Sequence, residues 1–262
     1  PPRTSAELFE EAMPMLQAAG NNLGRVGQGR ALLNLGRFAE AAAAVASVPT
    51  TWNHFIQHSD NGDRNPFYSL QSNGRYSISH YEGGNQTGVP FRGDADGFDN
   101  AGQDPRLPWF EDAAGGFDPV FRLFVSEKYP AYTTPVVLAS GIEARLIEAE
   151  AALNGSGDWL GILNTLRADV ANLMAPIIPN YASVVPNASL DPLTDPGDQA
   201  SRVDMLMNER ALWLWGTGHR VGDLRRMINS YGRTEAQVYP SGAYHKGGTH
   251  GTDVVFPVDF DE

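Results

Sequence analysis

The 262 residues are 42% hydrophobic and carry 31 Asp and Glu against 19 Lys and Arg, a formal net charge of −12. That length can bury one large core or two small ones, and the negative balance argues against nucleic acid, whose phosphates it would repel. With no cysteine there are no disulfides and no thiol chemistry, and no apolar run approaches the roughly 20 residues of a membrane span.

The chain opens Pro1-Pro2-Arg3-Thr4, with neither an initiator Met nor a signal peptide, as expected of a mature or partial product. Thr4-Ser5-Ala6-Glu7 has the spacing of a capping box. Leu8, Ala12, Met15 and Ala19 are then expected to line one helical face, with Pro14 kinking or shortening the helix. A second helix is expected over 23–35, where Gly24, Gly27 and Gly29 cost propensity but permit close backbone approach. Gly36 turns the corner, and Phe38, Ala41, Ala42 and Val45 form the next stripe. This is the pattern of a tetratricopeptide-like helical hairpin.

From 48 to 139 the character changes to Gly, Pro, Asn, Asp and aromatics, with only short strand candidates such as 75–81 and 135–138. A loop-rich insertion of this length in a helical scaffold usually carries function, and its aromatic content argues for order. Sugar rings present apolar C–H faces that lie on aromatic platforms, while amides and carboxylates take the hydroxyls. Trp52, Tyr68, Tyr81 and Trp109, each with polar neighbours, are the expected ligand-binding residues. The plainer reading is that most of the aromatics here plug the loop layer onto the helices.

Helices resume at Ser140. Ile142, Leu146, Ala149 and Leu153 fall on one stripe, Arg145 is placed to pair with Glu148, and Trp159, Leu163, Leu166 and Val170 form the partner stripe. Between 174 and 199 five prolines forbid long helices, which predicts an ordered crossover. Val203, Met205, Leu206, Met207, Leu212, Trp213, Leu214 and Trp215 leave hardly any polar face, so the next helix belongs inside an array. Gly216 suits a left-handed stop and Thr217 a cap. A last helix then places Val221, Leu224, Ile228 and Tyr231 on one stripe before Gly232 ends it.

Glu209, Arg210, His219, Arg220, Asp223, Arg225 and Arg226 are the polar residues of this final stretch, the first six expected to be structural. A catalytic reading takes Glu209, His219 and Asp223 as acid, base and orienter. The favoured reading is structural: arginine forks neutralise carboxylates where two helices cross, since buried charges must be paired to be tolerated.

Other motifs carry less. His54-Phe55-Ile56-Gln57-His58 has the histidine spacing of zinc proteases, but Phe55 stands where the catalytic glutamate is needed. His245 and His250 supply too few ligands for a metal. Asp94-Ala95-Asp96-Gly97-Phe98-Asp99-Asn100 and Asp60-Asn61-Gly62-Asp63 offer oxygen ligands for calcium without the EF-hand register, and Asx turns explain both. No cofactor is expected. Asn85, Asn154 and Asn187 head formal glycosylation sequons. Among 31 acidic residues, carboxylate pairs arise by chance. There is neither a Gly-x-Ser-x-Gly elbow nor a Walker loop, so no enzyme is expected.

Glu209-Arg210 followed by Gly218-His219-Arg220-Val221-Gly222-Asp223-Leu224-Arg225-Arg226 closely resembles the C-terminal signature of the SusD/RagB family. The alanine- and glutamate-rich run 143–153 with Asn164-Thr165-Leu166-Arg167 resembles a second family signature, and Phe256-Pro257 its closing segment. The resemblance implies a mainly α, tetratricopeptide-like domain over 1–262: hairpins at 1–47, a loop-rich insertion at 48–139, a helical core at 140–232 and a tail at 233–262. It implies a non-catalytic protein at the outer-membrane surface, with a lipid anchor upstream of Pro1. Such a protein binds glycan or peptide oligomers and passes them to a SusC-like TonB-dependent transporter. The alternative expectation is a structural protein that self-assembles through exposed ends of the helical array.

Overall fold

A computed structural model describes residues 3–82, 88–92, 103–118, 120–244 and 247–251. The first helix, Ser5–Ala18 (α1), starts at a reciprocal capping box: the Thr4 hydroxyl accepts from Glu7 N at 3.2 Å, and the Glu7 carboxylate accepts from Thr4 N at 2.7 Å. The helix continues past Pro14 to Ala18, so the proline does not shorten it there. Pro14 is on the exposed side, where water can hydrate the carbonyl that loses its N–H partner. The buried stripe also differs from the expected one. Met13, with Phe9 and Leu16, faces the core, whereas Leu8 and Met15 are 51% and 70% exposed. Two apolar stripes lie one residue apart, and the one carrying the phenylalanine is buried.

Asn22–Asn34 (α2) is capped by Asn21, whose side chain accepts from Gly24 N at 2.9 Å, and Phe38–Val45 (α3) closes the expected hairpin. A Cβ on Gly29 would stand 2.6 Å from Val45 Cγ1 and 3.0 Å from Ile147 Cδ1. Glycine at this position therefore sets how closely α2 approaches its neighbours.

The insertion is closed at its base by a two-stranded sheet. Asn53–Ile56 (β1) lies next to α3 in sequence; Pro66–Ser72 (α4), Trp109–Asp112 (β2) and Leu123–Ser126 (β3) follow. Val136–Ser140 (β4) returns antiparallel to β1 with Asn53 opposite Ser140 and Ile56 opposite Val136, and a bulge between His54 and Phe55. A second antiparallel pair, β2 and β3, sets Trp109 opposite Ser126. Residues 75–81 make no ladder, although Ile78 N donates to Phe124 O at 2.9 Å. Asn65 caps α4, accepting from Tyr68 N at 3.1 Å and donating to Thr134 O at 2.7 Å.

Gly141–Asn154 (α5) begins at Ser140, as expected, and is followed by Trp159–Ala168 (α6), Val170–Met174 (α7) and Tyr181–Val184 (α8). Gln199–Trp213 (α9), Arg220–Tyr231 (α10) and Glu235–Val238 (α11) complete the mainly α fold. The two expected stripes on α5 and on 159–170 are buried in one cluster with Leu206, Met207, Trp213 and Leu224. Arg145 and Glu148 pair at 3.1 Å. The proline-rich crossover is pinned by α6: Asn164 exchanges two hydrogen bonds with the Leu193 backbone, at 2.7 and 3.1 Å, and Arg167 Nε donates to Asp191 O at 2.6 Å. On α10 Leu224 and Met227 face inward, whereas Val221, expected on the inner stripe, is 47% exposed. Among the described residues no helix is long and apolar enough to cross a membrane.

Two glycines test this packing. A Cβ on Gly141 would overlap Pro49 O and Thr50 O, which are backbone atoms and cannot swing aside. Gly141→Ala is expected to cost upwards of about 3 kcal/mol. Gly222, inside α10 with no atom within 4 Å of such a Cβ, should instead stabilise on change to Ala by about 0.4–1 kcal/mol. Urea denaturation of both variants measures the two signs.

Candidate functional site at the α9–α10 corner

The apolar helix α9 ends at Trp213, and the chain turns through Gly216 at φ +70° into α10. A Cβ on Gly216 would stand 2.8 Å from Tyr129 Cε2, so both conformation and space call for glycine. The carbonyls released at the helix end are taken by the insertion. Lys128 Nζ donates to Trp215 O and Tyr129 OH to Gly216 O, both at 2.9 Å. Lys128 is 1% exposed, and burial pushes its pKa down to about 7. Thr217 does not cap α10; its hydroxyl donates to Leu214 O and lies 2.7 Å from His219 Nδ1.

Below the turn lies a closed set of forks. Arg210 Nε and Nη2 donate to the two oxygens of Asp223 at 3.0 and 2.9 Å. Arg226 donates to both oxygens of Glu150 at 2.9 Å and to Asp223 Oδ1 at 2.8 Å. All four side chains are buried. Burial pushes the Asp223 carboxyl up, but Arg210 and Arg226 outweigh it and hold the group well below the usual carboxylate range.

Two further carboxylates are similarly committed. Glu209 accepts from Arg106 Nη1 at 2.7 Å, Arg167 Nη1 at 2.6 Å and Trp213 Nε1 at 3.2 Å. Glu143 accepts from Arg30 Nη2 at 2.7 Å and lies 2.9 Å from His219 Nε2. Against the upward push of burial, His219 and Arg30 lower its pKa to about 2. Glu209, His219 and Asp223 thus belong to three separate ion-pair groups and do not converge on one reacting atom.

Above the forks is a cavity of about 280 Å³. Phe67, Tyr76, Glu82 and Phe91 of the insertion form one side, and Arg210, Leu214, Trp215, His219, Arg220 and Asp223 of the corner form the other. The Phe67, Tyr76 and Trp215 rings lie mutually 5.8–6.4 Å apart. Arg220 forks onto Glu82 and donates to Met207 O at 3.1 Å, tying insertion to corner. Arg210 Nη1 is buried and has no hydrogen-bond partner among the described residues. A larger hollow of about 400 Å³ is lined by Leu193, Ser201, Asp204, Met205, Asn208 and Glu209. It has no aromatic wall, and both Glu209 oxygens are already spoken for. The aromatic pocket is therefore the better candidate.

The expected ligand residues do not come together. Trp52 is half-buried against the α1–α3 core and stacks on His54 at 6.3 Å. Tyr68 meets Tyr132 edge-on at 4.8 Å, Tyr81 meets His80 at 4.5 Å, and Trp109 is 2% exposed, edge-on to Phe124. None of them lines the pocket. Phe67, Tyr76 and Phe91 were not distinguishable from other loop aromatics by neighbouring residues, and Trp215 reads as the end of an apolar run. Of the expected structural charges, Glu209, Arg210, His219, Arg220 and Asp223 stand in ion pairs. Arg225 is exposed, and the buried fork is made by Arg226. On α10 inward positions follow 223 at spacings of three and four, which 225 misses.

Among the described residues no three His, Cys, Asp or Glu are grouped to hold a metal ion. In the turn at 60–63, Asp60 O accepts from Arg64 Nε at 2.9 Å. The Asp94–Asn100 cluster, Asn85, His245 and the closing segment with Phe256-Pro257 lie outside the described residues.

No family model and no curated protein matches the chain. Among solved structures it is similar to B. fragilis NanU at 14% identity, over 77% of this chain and 55% of that one, with a TM-score of 0.40. The chain thus spans about half the length of that protein, and a likeness at this level carries no argument about ligand or partner.

Arg226→Met is expected to leave Glu150 and Asp223 buried and under-paired, at a cost of about 3–5 kcal/mol. Arg225→Met should stay within about 0.5 kcal/mol of the parent. Chemical denaturation of the two neighbours reads the contrast directly.

Stability should also follow pH on both sides of neutrality. The depressed carboxyls Glu143 and Asp223 contribute stability above their unfolded pKa, and it is lost as pH falls from about 5 towards 2. For Lys128 the unfolded chain holds the proton from about pH 7 to 10.5 while the folded chain has released it, so stability rises with pH across that window. Lys128→Met should flatten the alkaline rise in urea midpoints and leave the acid limb unchanged.

Proposed function

We propose that this chain is a non-catalytic binding protein of the outer cell surface, which captures nutrient oligomers, glycans foremost, and passes them to a TonB-dependent outer-membrane transporter. The observation that carries this reading is the pocket at the α9–α10 corner. Four aromatic rings, Phe67, Tyr76, Phe91 and Trp215, form its wall, and the polar side chains of Arg210, Arg220, Glu82 and Asp223 border it. Apolar ring faces with convergent donors and acceptors are the chemistry that grips a sugar. The floor of the pocket is built from 210–223, inside the stretch that resembles the SusD/RagB signature. The outer-membrane location, a lipid anchor upstream of Pro1 and the SusC-like partner belong to this proposal through that resemblance. Glu209 and Asp223 are fully committed to arginine partners, which favours capture over turnover.

One observation favours a second reading, self-assembly of a structural surface protein: Leu8 and Met15 are exposed on the outer face of α1, at the end of the hairpin array. Light scattering across concentration separates the two, since a persistent monomer removes assembly.

Calorimetry of the folded chain against a glycan panel tests capture. Tyr76→Ala, which opens the aromatic wall, should weaken binding about tenfold or more, a change of at least about 1.4 kcal/mol, while Trp52→Ala, packed against the α1–α3 core and not on the pocket lining, should not. Loss on Trp52→Ala alone would move the site to the base of the insertion. A folded sample that binds neither glycans nor peptides sinks the capture reading.

A further inference from the structure

Independently of the capture reading, we infer that the Asn61-Gly62 step, in the turn between β1 and α4, is a self-modification site of the folded chain. It deamidates through a cyclic imide and collects aspartate and isoaspartate, while the fold protects the other Asn-Gly steps. Asn precedes Gly at 61, 73 and 154 and nowhere else in the sequence. Glycine has no Cβ to hold its amide nitrogen away from the preceding side chain, so the three steps share much of their intrinsic reactivity.

The chemistry sets what the structure must allow. Gly62 N attacks Cγ of Asn61: a C–N bond forms, the Cγ–Nδ2 bond breaks, and ammonia leaves with the proton given up by Gly62 N. Solvent water then opens the imide at either carbonyl. One opening leaves aspartate, and the other leaves isoaspartate, in which the former side-chain carbon has entered the main chain. Water is the sole co-reactant. The glycine N–H and the asparagine side chain must both be free to approach each other.

At two of the steps both groups are engaged. Gly74 N donates to Gln71 O at 2.9 Å and Asn73 Nδ2 to Ser69 O at 2.6 Å. Gly155 N is shared between Ala151 O and Ala152 O at 3.1 and 3.2 Å, while Asn154 Nδ2 donates to Glu150 O at 2.9 Å and to Tyr231 OH at 2.7 Å. At the remaining step neither Gly62 N nor the Asn61 side chain has a hydrogen-bond partner among the described residues. All three asparagines are exposed, so access of water does not separate them. Hydrogen bonding does.

The site also matters to its surroundings. Ser59 N donates to Asp63 O at 3.0 Å and Arg64 N to Gly62 O at 3.1 Å. Isoaspartate puts an extra main-chain carbon inside the loop that the first bond closes, shortly before Asn65, the cap of α4. Either product adds a carboxylate beside Asp60 and Asp63.

The test is incubation of the folded full chain at mildly alkaline pH, followed by peptide mapping by mass spectrometry and enzymatic methylation of isoaspartate. Asn61 should be lost at least about tenfold faster than Asn73 or Asn154, where hydrogen bonds on both reacting groups must break first. In urea the three sites should react alike. A Cβ on Gly62 would meet only Ser59 Oγ, at 3.6 Å, so Gly62→Ala keeps the turn and should slow the loss severalfold. Equal rates in the folded chain, or loss led by Asn73 or Asn154, would overturn the inference. The same preference for Asn61 in urea would overturn it too, by tracing the effect to neighbouring residues rather than to the fold. An unchanged rate in Gly62→Ala would remove the imide route.

Discussion

The rest of the structure depends on the arginine–carboxylate forks buried at the crossing of α5, α9 and α10. Glu150 comes from α5, Arg210 from α9, and Asp223 and Arg226 from α10, and their hydrogen bonds close a circuit that leaves no carboxylate unpaired. Burying four charges is costly unless each finds its partners, so the circuit tolerates one relative placement of three helices and few others. Apolar packing alone would permit sliding along the α5 stripe. The forks fix the register.

The same device recurs outward from that point. Glu143, seven residues before Glu150 and on the same side of α5, takes Arg30 from α2 and thereby holds the first hairpins. Glu209, next to Arg210, takes Arg167 from α6 and Arg106 from the insertion. Arg220 takes Glu82. Each of these pairs is a carboxylate or arginine of the helical core meeting its opposite on another element. The insertion is further clasped by the β1–β4 pairing at its base and by Lys128 and Tyr129 at the end of α9. Ordered loops laid against a rigid corner are how the aromatic pocket arises.

Much of the helical part was legible because helix periodicity is local. The stripes of α5 and α6, the Ser140 start, the Gly232 stop and the α2–α3 hairpin all follow from spacing within a dozen residues. Legibility failed where the outcome is decided by what lies opposite. Leu8 and Phe9 head adjacent stripes of α1, and only the presence of α2 selects the latter. Val221 joins an apolar stripe on a helical wheel yet sits beyond the edge of the core. Arg225 and Arg226 are chemically identical neighbours, separated only by which one faces Glu150. The ligand residues were hardest. Phe67, Tyr76 and Trp215 are far apart in sequence and meet only through the fold of the insertion, while Trp109, with equally polar neighbours, is consumed by the core.

This bears on how the signature stretch is to be understood. Its charges read as structural, and most of them stand in buried ion pairs, yet the geometry of a guanidinium leaves an edge over. Five N–H groups point around a planar fork, and Asp223 engages only the Nε and Nη2 edge of Arg210. The remaining Nη1 edge is buried, and the bonds that hold α9 to α10 fix its orientation. A flexible surface side chain would have to lose rotamer freedom on binding, whereas this one lost it on folding. A motif that serves the fold thereby also fixes the floor of a pocket, without any additional residue.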